Sequence, residues 1–320
     1  MANHVQETTG TTLIVHMAGL GDLVVALPAL AALAAARPGE RFTFAADRTY
    51  REIVSMAGVP FTPARLAELP WRALWDHSQP PETAGVPRFD RVIELWTLGG
   101  RERRYAAATG GTVICLPPDP GHASQGDMSQ RAFAWVVEAL GLDLPYREAV
   151  LEPGMPARQE VAAYMDARGV HPPYAVIAPG AGNPCKCWPE SRYWDLTESL
   201  RRDRGLQVVV VLGDRECARG MAAPAGAADY VCREWGIRDV AALIGGATVY
   251  IGNDSGLSHV AVWTAGSQRP RTPCVLVFPR LNVRNWGTNR PWVKLVEYRY
   301  CQRDLPTVET VLNAVIAAMR

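Results

Sequence analysis

One feature constrains this chain more than any other: short runs of β-branched and apolar residues alternate with Ala- and Leu-rich stretches, and the alternation stops midway and restarts. In the first half, residues 12–16 read as a buried strand, Gly19-Leu20-Gly21 as a turn, and residues 23–36 as a helix stopped by Arg37-Pro38-Gly39. A second strand over 41–46, a helix over 50–57 and strands over 91–95 and 111–116 follow. A loop rich in Pro, Gly and Asp over 117–126 precedes a helix over 129–140. Residues 151–156, with Pro153, Gly154 and Pro156, read as a linker. Beyond it come helices over 157–168, 193–204, 240–244, 258–265 and 308–319, interleaved with strands over 174–178, 207–212, 248–252 and 273–278. Strand-helix-strand alternation of this kind predicts an α/β fold with mainly parallel sheets covered on both faces. Two such halves in tandem predict two Rossmann-like domains facing across a cleft, with strand C-termini at its edges.

Bulk properties narrow the function. A length of 320 residues suits about two cores of ordinary size. Lys plus Arg, 33, nearly balance Asp plus Glu, 32, so no global field recruits nucleic acid or an anionic membrane, and any anionic ligand must be held by local groups. The longest apolar run, residues 23–36, is Ala-rich, contains Pro28 and is too short to span a bilayer. The N-terminus lacks the basic segment of a signal peptide, so a cytoplasmic protein is expected. Seven cysteines, an odd number, argue for reduced thiols over a disulfide framework. Cys185 and Cys187 are close, yet no second Cys or His pair has the spacing a zinc site needs, and no bound metal is expected.

Four segments could carry chemistry, each at the end of a strand. In His16-Met17-Ala18-Gly19-Leu20-Gly21-Asp22, a glycine turn sets Asp22 beside a helix N-terminus, where the dipole stabilises a carboxylate. The residues alone leave Asp22 open between a helix-capping and a chemical role. The loop Pro179-Gly180-Ala181-Gly182-Asn183-Pro184-Cys185-Lys186-Cys187-Trp188-Pro189 combines glycines that let backbone N–H groups approach phosphate with one ammonium, Lys186, to neutralise it; a solvated loop lysine is the alternative. Gly213-Asp214-Arg215-Glu216 offers a carboxylate better suited to a ribose or sugar hydroxyl than to a pyrophosphate, or else a solvated first-turn Glu216. Asn253-Asp254-Ser255-Gly256 runs straight into a helix whose free N–H groups could bind a diphosphate, with Ser255 and Gly256 permitting close approach. His259, on that helix's first turn, is by residue type more often a packed or surface side chain than a ligand contact, and periodicity alone does not decide between them.

Taken in order, these segments resemble the motif set of glycosyltransferase family 9, the ADP-heptose-using lipopolysaccharide heptosyltransferases, over roughly residues 12–280. Gly21-Asp22 with Pro28-Ala29-Leu30, Pro179-Gly180 with Lys186 and Trp188-Pro189, and Asn253-Asp254-Ser255-Gly256 with His259 carry the resemblance. It implies a GT-B fold, with residues 1–153 binding acceptor, 154–320 binding the nucleotide-sugar, and a final helix able to pack back on the first domain. It implies Asp22 as catalytic base, Lys186 on the donor phosphate, Glu216 on the nucleotide side, and Asp254, Ser255, Gly256 and His259 around the donor sugar and diphosphate. The implied reaction is an inverting, metal-independent transfer of heptose or a related sugar from an ADP-sugar to a lipopolysaccharide-core or related acceptor, a glycolipid or other glycan. No dissociable cofactor is implied beyond the nucleotide-sugar donor, which is a substrate. Such an acceptor also allows peripheral association with the inner membrane surface. A sugar-nucleotide epimerase of similar fold and a non-catalytic sugar-nucleotide binding protein are the competing readings. The chain departs from the family pattern in three places: around His16, where a basic residue is usual; at Phe278-Pro279-Arg280-Leu281-Asn282, which replaces a glycine-threonine loop; and in the cysteines flanking Lys186. Arg101-Glu102-Arg103-Arg104 reads as a solvated helix face or as a basic patch for a phosphorylated acceptor.

Overall fold

The structure, a computed structural model, describes residues 10–76, 78, 80, 85–97, 99–116, 127–267, 270–299 and 304–320, without the side chains of 284 and 285. The loop expected over 117–126 lies outside them. The chain divides into two compact units, Met1–Ala149 and Val150–Arg320.

The first unit contains, in chain order, β1 (Thr11–His16), α1 (Leu20–Ala36), β2 (Arg41–Ala46), α2 (Arg48–Met56), β3 (Thr62–Arg65), β4 (Arg91–Leu95), α3 (Glu102–Thr109), β5 (Thr112–Leu116) and α4 (Met128–Ala139). Its five strands form one parallel sheet in the order β3-β2-β1-β4-β5. Leu13, Ile14 and Val15 of the central strand are fully buried, as a strand covered on both faces requires. Strand β3 was not expected. Its sequence, Thr-Pro-Ala-Arg, holds Pro63 and buries only Ala64. Proline is tolerated there because β3 is an edge strand.

The second unit contains α5 (Met155–Asp166), β6 (Tyr174–Ala178), α6 (Glu190–Arg204), β7 (Gln207–Leu212), α7 (Asp214–Ala218), β8 (Tyr230–Arg233), α8 (Ile237–Gly246), β9 (Val249–Asn253), α9 (Gly256–Trp263), β10 (Cys274–Pro279), α10 (Arg280–Trp286), β11 (Val293–Tyr298) and α11 (Val308–Met319). Six parallel strands run β11-β10-β9-β6-β7-β8. Counted from β6, this is the doubly-wound order 3-2-1-4-5-6, and the first unit repeats its first five positions. Burial follows the order: every residue of β6 and β9 is buried, whereas edge strand β11 alternates buried Val293, Val296 and Tyr298 with exposed Lys294 and Glu297. The last helix, α11, buries Val311 and Val315 in the second unit's own core, beside Leu196, Val275 and Val277. Among the described residues, no helix is long and apolar enough to cross a membrane.

Strand order fixes where a ligand can sit. In an open parallel sheet, loops from the two strands at the order's reversal leave in opposite directions and open a crevice at the strand C-termini. That reversal falls between β1 and β4 in the first unit and between β6 and β9 in the second.

Candidate functional site

Asp22 stands at the first reversal. Helix α1 starts at Leu20, earlier than the sequence reading placed it, so Asp22 occupies the third helical position and Gly19 is the N-cap. The carboxylate turns back so that Oδ2 accepts the Gly19 N–H at 2.7 Å. A side chain at Gly19 would bring its Cβ within 2.8 Å of that oxygen, which explains the glycine. Behind the turn, His16 donates from Nε2 to the Gly19 carbonyl, 3.2 Å away, and meets Tyr50 edge to face at 4.9 Å between ring centroids. Burial pushes the His16 imidazole down to about 4, so it is neutral at physiological pH. Asp22 is half-buried, with one face of the carboxylate bound to the helix start.

Of the three arginines at the start of α3, Arg103 is exposed, whereas Arg101 and Arg104 are engaged within the unit. Arg101 pairs with buried Glu94 at 3.0 Å, and Tyr105 donates to the same carboxylate at 2.7 Å. Arg104 donates to the carbonyls of Ala73 and Asp76. These contacts join α3 to the sheet and the neighbouring loop, so both guanidinium groups have structural work.

At the second reversal, the loops after β6 and β9 meet. Asn253 ends β9 fully buried, and its Oδ1 accepts from the Trp188 N–H at 3.0 Å and the Tyr193 hydroxyl at 2.8 Å. Its Nδ2 donates to the Pro179 carbonyl at 2.6 Å. Trp188 is itself fully buried and donates from Nε1 to Pro306. One asparagine therefore ties both ends of the 179–188 loop to β9. Within that loop Asn183 accepts from the Cys185 N–H and Cys187 donates to Pro184, forming a single 3₁₀ turn over Pro184–Lys186. Main-chain N–H groups at 185 and 187 close the turn that carries Lys186, and burial raises the Cys187 thiol above its ordinary value.

Lys186 reaches from this turn to Asp254, with Nζ 2.9 Å from Oδ2. Asp254 is 4% exposed. Ser255 caps α9, its Oγ accepting the Ser258 N–H at 3.3 Å, and Gly256 begins the helix. An ammonium therefore sits beside a helix N-terminus, the arrangement that favours phosphate. His259 is buried, with its ring 6.3 Å from that of Trp286. Glu216 lies on the third helical position of α7, where Oε2 accepts the Gly213 N–H at 3.1 Å. Its carboxylate covers Gly180, where an added Cβ would fall 2.2 Å from Oε1. Arg219 donates to the Ala181 and Gly182 carbonyls, fastening α7 to the glycine loop.

The second unit thus gathers Lys186, Asp254, Ser255 and Gly256 at one crevice, with His259 on the following helix turn and Glu216 against the same glycine loop. Asn282 is the contact the sequence reading missed. The segment read as replacing a loop, residues 278–282, is instead the end of β10 and the start of helix α10, and Asn282 donates from Nδ2 to Asp254 Oδ2 at 2.5 Å. A lone Asn after a strand carries no signal of its own; only the departure from the family's loop marked the segment.

Two doubly-wound parallel sheets in tandem, with an ammonium and a helix start at the second reversal, define an α/β protein of the GT-B fold class. Residues 122–270 match the model of glycosyltransferase family 9 (heptosyltransferase). Over 167 residues the chain is 27% identical to lipopolysaccharide heptosyltransferase 3 of Escherichia coli K12; the match covers 50% of this chain and 45% of that protein, less than half its length. A glycosyl transferase family 9 structure from Veillonella parvula superposes with a TM-score of 0.76 at 16% identity, covering 97% of each chain. The E. coli ADP-heptose lps heptosyltransferase II structure gives 0.70 at 19% identity, over 97% of this chain and 98% of that one. E. coli heptosyltransferase WaaC with ADP gives 0.67 at 20% identity, over 96% and 99%. At such identities the superpositions speak for the fold. Residues 122–270, somewhat under half of the chain, are thus similar to glycosyltransferase family 9.

Proposed function

We propose that this chain is an inverting, metal-independent glycosyltransferase that moves a heptose, or a related sugar, from an ADP-sugar to a lipopolysaccharide-core or similar glycan acceptor on the cytoplasmic side of a membrane. The observation that carries the reading is Lys186, held 2.9 Å from buried Asp254 beside the start of α9. Together with the match of residues 122–270 to the family model, it supports a donor site for a nucleoside diphosphate.

In the proposed reaction the acceptor hydroxyl attacks the anomeric carbon as the bond from that carbon to the diphosphate oxygen breaks. Asp22 takes the hydroxyl proton, and the leaving ADP carries off the bonding pair. Lys186 and the free N–H groups at the start of α9 stabilise the charge that develops on the diphosphate, work that a divalent cation does in metal-dependent transferases. Glu216 accepts from a ribose hydroxyl, and Asp254 and His259 contact the donor sugar. A general base contributes about 10² to 10⁴ in rate.

Incubation with ADP-heptose, with and without phosphorylated core oligosaccharide, tests this by ADP release. Acceptor-dependent ADP release is expected, and it should fall by about 10² or more in Asp22→Asn, whose amide oxygen can still accept from Gly19. Donor conversion without acceptor would assign an epimerase, and near-normal turnover in the Asn variant would remove Asp22 as base.

A further inference from the structure

Helix α10 starts directly at the end of β10, and β10 lies beside β9, with Val277 level with Asn253. Its first turn therefore stands next to the β9–α9 turn that presents Asp254. Two of its side chains face that turn. Asn282 donates to Asp254 Oδ2, and Trp286 packs edge-on against His259. Its other surface is spent outward: Leu281 is 69% exposed and Arg280 pairs with Glu297 on β11.

Asp254 Oδ2 consequently has two donors from distant parts of the chain, Lys186 Nζ and Asn282 Nδ2. They are not equivalent. A diphosphate arriving at the start of α9 competes for Lys186, because its charge exceeds that of a single carboxylate. Asp254, nearly excluded from water, would then lose its cation. A buried carboxylate stripped of partners is strongly disfavoured, so the ammonium could turn toward phosphate only if another donor stayed behind.

We propose that Asn282 is that donor: a positioning residue of the nucleotide-sugar site that holds the Asp254 carboxylate while Lys186 transfers its charge to the donor diphosphate. The inference rests on the donor-site reading above. A neutral amide suits the task, since it satisfies the carboxylate without competing for the phosphate as a second cation would. On this account the helix that replaces the family's glycine-threonine loop is part of the donor site.

The test is calorimetric binding of ADP to the full chain, with thermal unfolding and steady-state kinetics on the same preparations. Asn282→Ala should weaken ADP binding by about tenfold, the size of one lost hydrogen bond to a charged group, and raise the donor KM by a similar factor. It should leave kcat at saturating donor within about threefold and, because Lys186 still pairs with Asp254 in the unliganded protein, lower the unfolding midpoint by only a few degrees. Asn282→Asp keeps the shape but sets a second carboxylate against Asp254, and should weaken ADP binding further than Ala does. Asn282→Gln, which retains the amide, should recover part of the loss. Wild-type ADP affinity in both Ala and Asp variants would overturn the proposal, as would a loss that tracks the unfolding midpoint. Lys186→Ala separates this inference from the reading beneath it: if Lys186→Ala binds ADP normally, the donor site itself is misassigned; if Lys186→Ala fails to bind while Asn282→Ala binds normally, only the positioning role falls.

Discussion

Lowering the pH should destabilise the first unit through one residue, His16. Its imidazole is 1% exposed, its Nε2 is committed to the Gly19 carbonyl, and its Nδ1 has no partner. Burial depresses it from 6.5 to about 4 in the folded state. The unfolded chain therefore takes up a proton at a pH where the native chain does not, and stability rises with pH across that window. The contribution is complete above about pH 6.5, is lost as pH falls, and levels off below about pH 4. A difference of two to three pKa units corresponds to about 3 kcal/mol in total, of which about 2.5 kcal/mol should be lost between about pH 7.5 and 4.5. The assay is urea unfolding at a series of pH values, comparing the native chain with His16→Gln. Glutamine can donate to Gly19 but does not titrate, so subtracting the two curves removes the carboxylates and the other histidines. The subtracted curve should slope only between those limits. Equal pH slopes in the two proteins would refute the reasoning, as would an NMR titration of His16 with a midpoint near 6.5.

Two substitutions test the second unit's scaffold. Gly180→Ala forces a Cβ into the space held by Glu216, whose Cγ, Cδ and Oε1 all lie within 2.4 Å of it, so the side chain must abandon the Gly213 N–H. A stability loss of about 1 kcal/mol by urea unfolding is expected, together with a higher donor KM; an unchanged KM would detach Glu216 from the nucleotide. Asn253→Ala leaves the Trp188 N–H, the Tyr193 hydroxyl and the Pro179 carbonyl without their buried partner. It should cost about 3 kcal/mol or more, and a loss below about 1 kcal/mol would show that the 179–188 loop does not depend on β9.

The candidate site was partly legible because its chemistry lies at strand ends, where local sequence is informative. Gly21-Asp22, the glycines before Lys186 and Asn253-Asp254-Ser255-Gly256 each announce a turn into a helix. Partners were not legible, since Lys186 meets Asp254 and Glu216 covers Gly180 only after strands distant in sequence become neighbours. Asp22 illustrates the mixture: its place beside a helix start could be read, but its bond to Gly19 depends on the helix beginning at Leu20.

By itself the sequence determined two α/β halves and their central strands, because a strand buried on both faces must be an unbroken apolar run, as in residues 174–178 and 208–212. Edge strand β5 was legible as residues 111–116, but tertiary structure alone decided the other three edges. Strands β3, β8 and β11 are short or alternate with charges, and only pairing with an already formed neighbour makes them strands. It also decided that residues 280–286 are a helix whose Asn282 completes the Asp254 site, because no local pattern encodes which side chains strand order will bring together.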